Sequence, residues 1–203
     1  MSDVELVPLQ RLSGADLDVL AAAHRRALDG LLTDLGFELV RRFYASAARS
    51  SHLFGAAARL EGRVVGAVVG TGQPDEAFTA VASPAWRFGL HVLRHRPQVL
   101  PQLAVSWLRP AHAEATPDKS AELLYIFTDQ AARGHGIGRR LVSWFMHEAK
   151  DRNFDYVTLS VEEDNAGAIG LYEKLGFETW ASGRREGRFV RQRMGADLRG
   201  GSP

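Results

Sequence analysis

The chain contains no cysteine, which excludes disulfides, thiolate metal sites and a cysteine nucleophile and fits a reducing compartment. It has no uncharged run long enough for a membrane helix, and its first residues, Met1-Ser2-Asp3-Val4-Glu5, lack the basic and apolar regions of a secretory signal. A cytoplasmic chain is expected. An excess of one charge is lacking too: 25 lysines and arginines stand against 24 acids, a formal net charge of +1, which removes any global case for a nucleic-acid partner. The seven histidines show no ligand-like spacing alongside carboxylates, so no metal is expected. One shortage is local, since no acid occurs from Ala77 to Ala113.

What remains is an ordinary globular composition. With 203 residues, 45% hydrophobic and 24% charged, the chain is long enough to bury a sizeable core as a single domain, residues 1–203. The most informative stretch is Arg133-Gly134-His135-Gly136-Ile137-Gly138, entered from the apolar run at residues 123–127 and followed by Arg139-Arg140-Leu141-Val142. It reads as strand, glycine turn and helix. Glycine permits unusual φ/ψ values and lets a ligand approach the backbone, while the helix start adds free N–H groups and the positive end of its dipole. With Arg133, Arg139 and Arg140 alongside, a diphosphate is the natural guest. The plainer reading is that the glycines merely turn a strand into a helix.

Two other phosphate loops can be checked against fixed spacings. A Walker A loop needs Lys-Ser/Thr after its last glycine, whereas Gly138 is followed by two arginines, which points away from ATP hydrolysis. A dinucleotide fingerprint needs Gly-x-Gly-x-x-Gly in an opening βαβ unit; Gly134, Gly136 and Gly138 are spaced by two and lie late in the chain, which points away from a nicotinamide cofactor.

Downstream, the β-branched run at residues 155–161 predicts another strand, and residues 165–175 a short helix ending at Gly176. Arg133, Gly136 and Gly138, then Asn165, Ala168, Leu171-Tyr172-Glu173-Lys174-Leu175-Gly176-Phe177, are similar to the two signatures of the GCN5-related N-acetyltransferase (GNAT) superfamily, Arg/Gln-x-x-Gly-x-Gly/Ala and Asn-x-x-Ala-x-x-Leu-Tyr-x-x-x-Gly-Phe. The resemblance covers residues 123–177. It implies an α/β (α+β) fold: a mixed, mainly antiparallel twisted sheet with flanking helices, whose strands before Asp129 and from Asp155 run parallel and splay apart around acetyl-CoA. Backbone groups of Ile126, Phe127 and Thr128 would pair with the pantetheine arm, and amides from Arg133, Gly134, His135, Gly136, Ile137, Gly138 and Arg139 would hold the pyrophosphate. Asn165 would serve as helix N-cap and cofactor contact together.

The implied activity is direct transfer of acetyl from acetyl-CoA to a primary amine of a small-molecule acceptor. The alternatives are protein or peptide N-acetylation, and a CoA-binding regulatory or partner-binding module without transfer. Tyr172 is the expected general acid toward the leaving thiolate; its plainer reading is a packed aromatic. For a general base, Glu122 ranks ahead of Asp129, Glu162, Glu163 and Asp164, and a dedicated base is not required. A strand amide near Phe127 or Thr128 would stabilise the oxyanion. His135 occupies a variable loop position and suits solvent exposure or a phosphate contact.

Elsewhere, residues 4–9 predict a strand, a capping box at Ser13 and Asp16 opens a helix to about Leu28, and Thr33 or Asp34 caps a second helix running toward Arg49. Residues 53–60 and 63–71 predict a hairpin turning at Glu61-Gly62. Residues 83–113 predict a helical insertion between the third and fourth strands. Its plainest role is packing on the sheet; a lid over the acceptor site and a homodimer face compete, and contact with an anionic membrane is the least expected. Residues 182–188 predict the turn between the last two strands; its arginines would suit an anionic acceptor, whereas the acids of residues 29–34 would suit a cationic one. Residues 199–203 are expected to fray.

Overall fold

A computed structural model describes residues 4–77, 85–95, 97–100, 116–132, 134–186 and 189–200. Strand β1 (Val4–Pro8) leads through a 3-10 turn into helix α1 (Gly14–Ala27). Ser13 and Asp16 close the expected capping box: Asp16 N–H donates to Ser13 Oγ at 3.2 Å and Ser13 N–H to Asp16 Oδ2 at 2.8 Å. The same carboxylate receives Arg59 from the sheet at 2.7 Å, fixing the helix start against its neighbour.

The second expected helix is broken in two, α2 (Leu31–Asp34) and α3 (Phe37–Ala47), because Gly36 adopts φ +96 between them. Neither Thr33 nor Asp34 caps α3; Gly36 does, while the Thr33 hydroxyl donates to Leu28 O at 2.8 Å. Strands β2 (Leu53–Leu60) and β3 (Arg63–Thr71) form the expected hairpin, with Glu61 and Gly62 both at positive φ, +52 and +78, the combination that matches the twist of paired strands.

The insertion contains helix α4 (Ala85–His95), which sends Phe88 and Val92 into the core and leaves Leu90 and Leu93 exposed. Residues 101–115 lie outside the described residues. Strand β4 (Ser120–Thr128), helix α5 (Ile137–Asp151), strand β5 (Tyr156–Glu162), helix α6 (Ala166–Glu173) and strands β6 (Glu178–Glu186) and β7 (Phe189–Asp197) complete the chain. The expected turn at residues 182–188 is mostly strand: Arg184 to Glu186 still pair with β7, and residues 187–188 lie outside the described residues.

All seven strands form one sheet in the order β1-β2-β3-β4-β5-β7-β6, antiparallel except for β4 against β5. It is the expected mixed, mainly antiparallel sheet, with a hydrophobic cluster on each face. One gathers α1, α2, α3 and α4 residues such as Leu20, Phe43, Tyr44 and Val92; the other gathers α5 and α6 residues such as Leu141, Phe145, Tyr172 and Leu175.

The first cluster contains a buried histidine. His24 of α1 is fully buried, with Nδ1 2.8 Å from the Tyr44 hydroxyl and its ring roughly perpendicular to those of Tyr125 (5.0 Å) and Phe127 (5.9 Å) on β4. Burial pushes its pKa down from 6.5 to about 4, because imidazolium is poorly solvated there. Both folded and unfolded chains carry neutral His24 above pH 6.5. Between 6.5 and 4 only the unfolded chain takes up the proton, so stability falls with falling pH, by about 3 kcal/mol in total. Urea unfolding from pH 7 to 4 is expected to show this loss, and His24→Phe to remove its share of the slope. Identical pH dependence in the two proteins would refute the assignment.

Candidate active site

The glycine loop grows out of the end of β4. Asp129 N–H donates to Val65 O of β3 at 2.6 Å, and Ala132 N–H donates back to Asp129 O at 3.0 Å through the 3-10 turn Gln130–Ala132. Arg133 lies outside the described residues. Gly134 and Gly136 hold φ +86 and +67, and a Cβ built on either would meet nothing within 4 Å. Glycine is therefore required there by backbone conformation, not by crowding. His135 is exposed, and its Nδ1–H donates to Ala132 O at 3.2 Å, bracing the loop against the 3-10 turn.

Gly136 precedes α5 without any side-chain cap, and Arg140 N–H donates back to Gly136 O at 3.1 Å. The N–H groups of Ile137, Gly138 and Arg139 are thus the helix's first-turn donors, at the positive end of its dipole. The Ile137 side chain is 1% exposed and anchors the turn, whereas Arg139 and Arg140 are exposed. A Cβ on Gly138 would stand 3.3 Å from Leu171 of α6 and 4.0 Å from Thr128 Oγ1. The loop, the end of β4 and α6 converge at this point.

Behind the loop the sheet opens. β4 and β5 pair over four rungs, from Ser120 opposite Tyr156 to Leu123 opposite Leu159. Past that rung, Tyr125, Ile126, Phe127 and Thr128 pair only with β3, after an irregularity at Leu124, while Ser160, Val161 and Glu162 pair only with β7. The parallel strands therefore diverge toward the glycine loop. They leave about 16 Å of β4 edge that does not pair with β5, at roughly 3.3 Å per residue over residues 124–128. Such an edge can take an extended guest as though it were another strand.

Helix α6 carries the other expected residues. Asn165 Oδ1 accepts Ala168 N–H at 3.1 Å as the N-cap, which leaves its exposed amide nitrogen as the donor for a ligand. Tyr172 is 5% exposed, packs on Phe177 at 5.6 Å and has its pKa pushed up to about 12 by burial. Gly176, at φ +85, ends the segment as expected.

Glu122 lies at the paired end of the two strands. Arg193 of β7 reaches across β5 to hold both of its oxygens, Nη1 to Oε1 at 2.8 Å and Nη2 to Oε2 at 3.3 Å. On the way the guanidinium also donates to Thr158 Oγ1 at 2.8 Å and Ser160 Oγ at 3.3 Å. Sequence reasoning missed this cluster, because Thr158 and Ser160 read only as strand residues; their alternation with Val157, Leu159 and Val161 was the available signal. The other candidate carboxylates are also engaged: Asp129 by Arg26 at 3.4 Å, Glu162 by Arg191 at 4.0 Å, and Glu163 by the Gly183 amide. Asp164 is exposed.

Among the described residues no group of three or more His, Cys, Asp or Glu could hold a metal ion, and no helix is long and apolar enough to cross a membrane. Two surface clefts, one bordered by Lys119, Phe154 and Arg199 and the other by His52, Gln73 and Arg152, lie at the end of the sheet away from the glycine loop.

Residues 20–177 match the Acetyltransferase (GNAT) family. A mycothiol acetyltransferase from Rhodococcus erythropolis (strain PR4 / NBRC 100887) is 37% identical over 76 residues, 37% of this chain and 25% of that protein. The chain thus spans about a quarter of that relative's length. Among solved structures, an N-acetyltransferase from Staphylococcus aureus Mu50 aligns with a TM-score of 0.62 at 15% identity, covering 98% of this chain and 100% of that one. The paia N-acetyltransferase from Thermoplasma acidophilum, in complex with coenzyme A, gives 0.58 at 14% identity, with 96% and 99% covered.

Proposed function

Because the chain belongs to the Acetyltransferase (GNAT) family, we propose that it transfers acetyl from acetyl-CoA directly to a primary amine of a small-molecule acceptor. The observation that carries this reading is the opening between β4 and β5 that ends at an uncapped helix start. It offers an extended backbone edge for an amide-containing arm and clustered N–H donors for its diphosphate. The small-molecule acceptor is supported by the name of the Rhodococcus relative, a mycothiol acetyltransferase.

In the proposed mechanism the pyrophosphate sits on the amides from Gly134 to Arg139, and the pantetheine arm runs along Ile126, Phe127 and Thr128. Asn165 contributes its amide N–H. The thioester then points toward the floor of the opening, where an amide of β4 nearer the last rung than the expected Phe127 or Thr128 polarises its carbonyl oxygen. The acceptor nitrogen attacks as the neutral amine, the carbon–sulfur bond breaks, and Tyr172 gives its proton to the departing thiolate. Glu122, ion-paired to Arg193 through both oxygens, keeps further lone pairs and takes the amine's proton through a bridging water. Nothing covalent forms on the protein, which has no cysteine.

Calorimetric titration with acetyl-CoA, beside ATP and NAD, tests the binding half. Micromolar affinity confined to acetyl-CoA is expected, followed by thiol release with a panel of small amines. Binding without release across amines and peptides alike would make the chain a CoA-binding module, and no binding by folded protein would overturn the reading.

A further inference from the structure

The opening between the strands has a floor, and one side chain fixes where it lies. The last shared rung of β4 and β5 is Leu123 opposite Leu159. Arg193 grips both strands around that rung: Glu122 on β4, and Thr158 and Ser160 on β5. Its own strand, β7, stays paired along the whole length of β5, Ser160 facing Arg193 directly. β5, β7 and β6 thus form one unit that leaves β4 together, and the guanidinium ties that unit back to β4 where the two diverge.

We propose that Arg193 is a specificity-determining positioning residue: by holding Glu122 to Thr158 and Ser160 it closes the floor of the opening and restricts the donor to the shortest acyl groups. The inference rests on the acetyl-CoA reading above. A donor anchored at the glycine loop and lying along the β4 edge brings its thioester toward the last rung. Its acyl group then meets the residues on either side of that rung. On one face these are the Arg193 cluster, with side chains 12% exposed for Arg193 and 21% for Glu122; on the other they are Leu123 and Leu159, 5% and 1% exposed. A longer acyl chain would need the strands to separate by a further rung, which breaks the Leu123–Leu159 pairing and pulls Glu122 from Arg193. Charged hydrogen bonds to two strands at once resist that more strongly than apolar packing alone.

The test is a selectivity ratio, which does not change when a variant merely lowers the folded fraction. Wild type and two variants are compared with acetyl-, propionyl- and butyryl-CoA, by kcat/KM with one amine and by calorimetric Kd. Arg193→Leu keeps the aliphatic stem and removes every donor. The double variant Thr158→Val with Ser160→Ala keeps the ion pair and removes the grip on β5, which guards against misfolding of the first. Wild type is expected to favour acetyl- over butyryl-CoA by about a hundredfold, a scale consistent with two methylenes in a closed pocket. Each variant is expected to reduce that preference by about tenfold. Wild type using butyryl-CoA as well as acetyl-CoA, or folded variants with an unchanged ratio, would overturn the role of Arg193 while leaving the acetyltransferase reading intact. Failure of wild type to bind any acyl-CoA would overturn both.

Discussion

Replacing Tyr172 with phenylalanine is expected to lower kcat by about a hundredfold or more while the Kd for acetyl-CoA stays within about twofold. The phenol is the group the proposed chemistry uses and the ring is the group the fold uses. The ring packs on Phe177 in the second hydrophobic cluster, so phenylalanine preserves the packing and removes only the proton. Burial already disfavours the phenolate and holds the pKa near 12. The donor therefore stays protonated across the whole working range. Activity should rise with pH as the acceptor amine loses its proton, and it should not fall again through loss of the Tyr172 proton below about pH 12. A descending limb near pH 9 that disappears in Tyr172→Phe would contradict this placement of the titration. Unaltered thiol release in the variant would reduce Tyr172 to a packed aromatic.

Gly138→Val is expected to raise the Kd for acetyl-CoA by about a hundredfold, roughly 2.7 kcal/mol, with little change in thermal stability. The residue stands in the first turn of α5, where a Cβ would approach Leu171 Cδ2 at 3.3 Å and Thr128 Oγ1 at 4.0 Å. A branched side chain there fills the space between the helix start, α6 and the end of β4, through which the diphosphate reaches the amides in the proposed mechanism. Gly138 does not share the positive φ of Gly134 and Gly136, so the substitution adds no backbone strain, and valine is a better helix former than glycine. Gly138→Ala should fall between the two, since the tip of Leu171 can shift by a few tenths of an ångström. Calorimetry and a melting curve on the same preparation separate the effects. A large loss of stability with unchanged affinity would mean that Gly138 serves the packing of α6 rather than access to the loop.

The features of the fold that were legible in the sequence are those set by local chemistry. Ser13 and Asp16 announce a helix because each can satisfy the other's backbone, and Glu61-Gly62 announces a hairpin because Gly62 takes positive φ at no steric cost between two strand-like runs. Gly134 and Gly136 likewise mark a turn that only glycine takes without strain. The break at Gly36 was missed because apolar residues on both sides keep helical spacing, so periodicity reads through a backbone kink. The extension of β6 through Arg184 to Glu186 was missed because an arginine- and glycine-rich stretch resembles an exposed turn, and cross-strand pairing overrode that local preference. Within the candidate site, the positions of the glycine loop before α5, of Asn165 at the start of α6 and of Tyr172 on it could be placed in advance. Arg193 could not, since its meaning lies in β7 pairing with β5 as well as with its sequence neighbour β6, which brings it within reach of a carboxylate on β4.

The five-residue stretch of β4 beyond its last rung with β5 has a cost outside chemistry. An unpaired strand edge is a template for any extended chain, and proteins commonly blunt such edges with charge, proline or a covering element. Here residues 124–128 include Leu124, Tyr125, Ile126 and Phe127, with no charge and no proline, a composition that would invite edge-to-edge aggregation on an outer strand. It is tolerable because the strand is central, with β3 on one side and the departing β5 on the other, so the edge lies inside the sheet and not at its rim. Enclosure replaces the charged residues that protect an outer edge, and those charges would have met the guest as well.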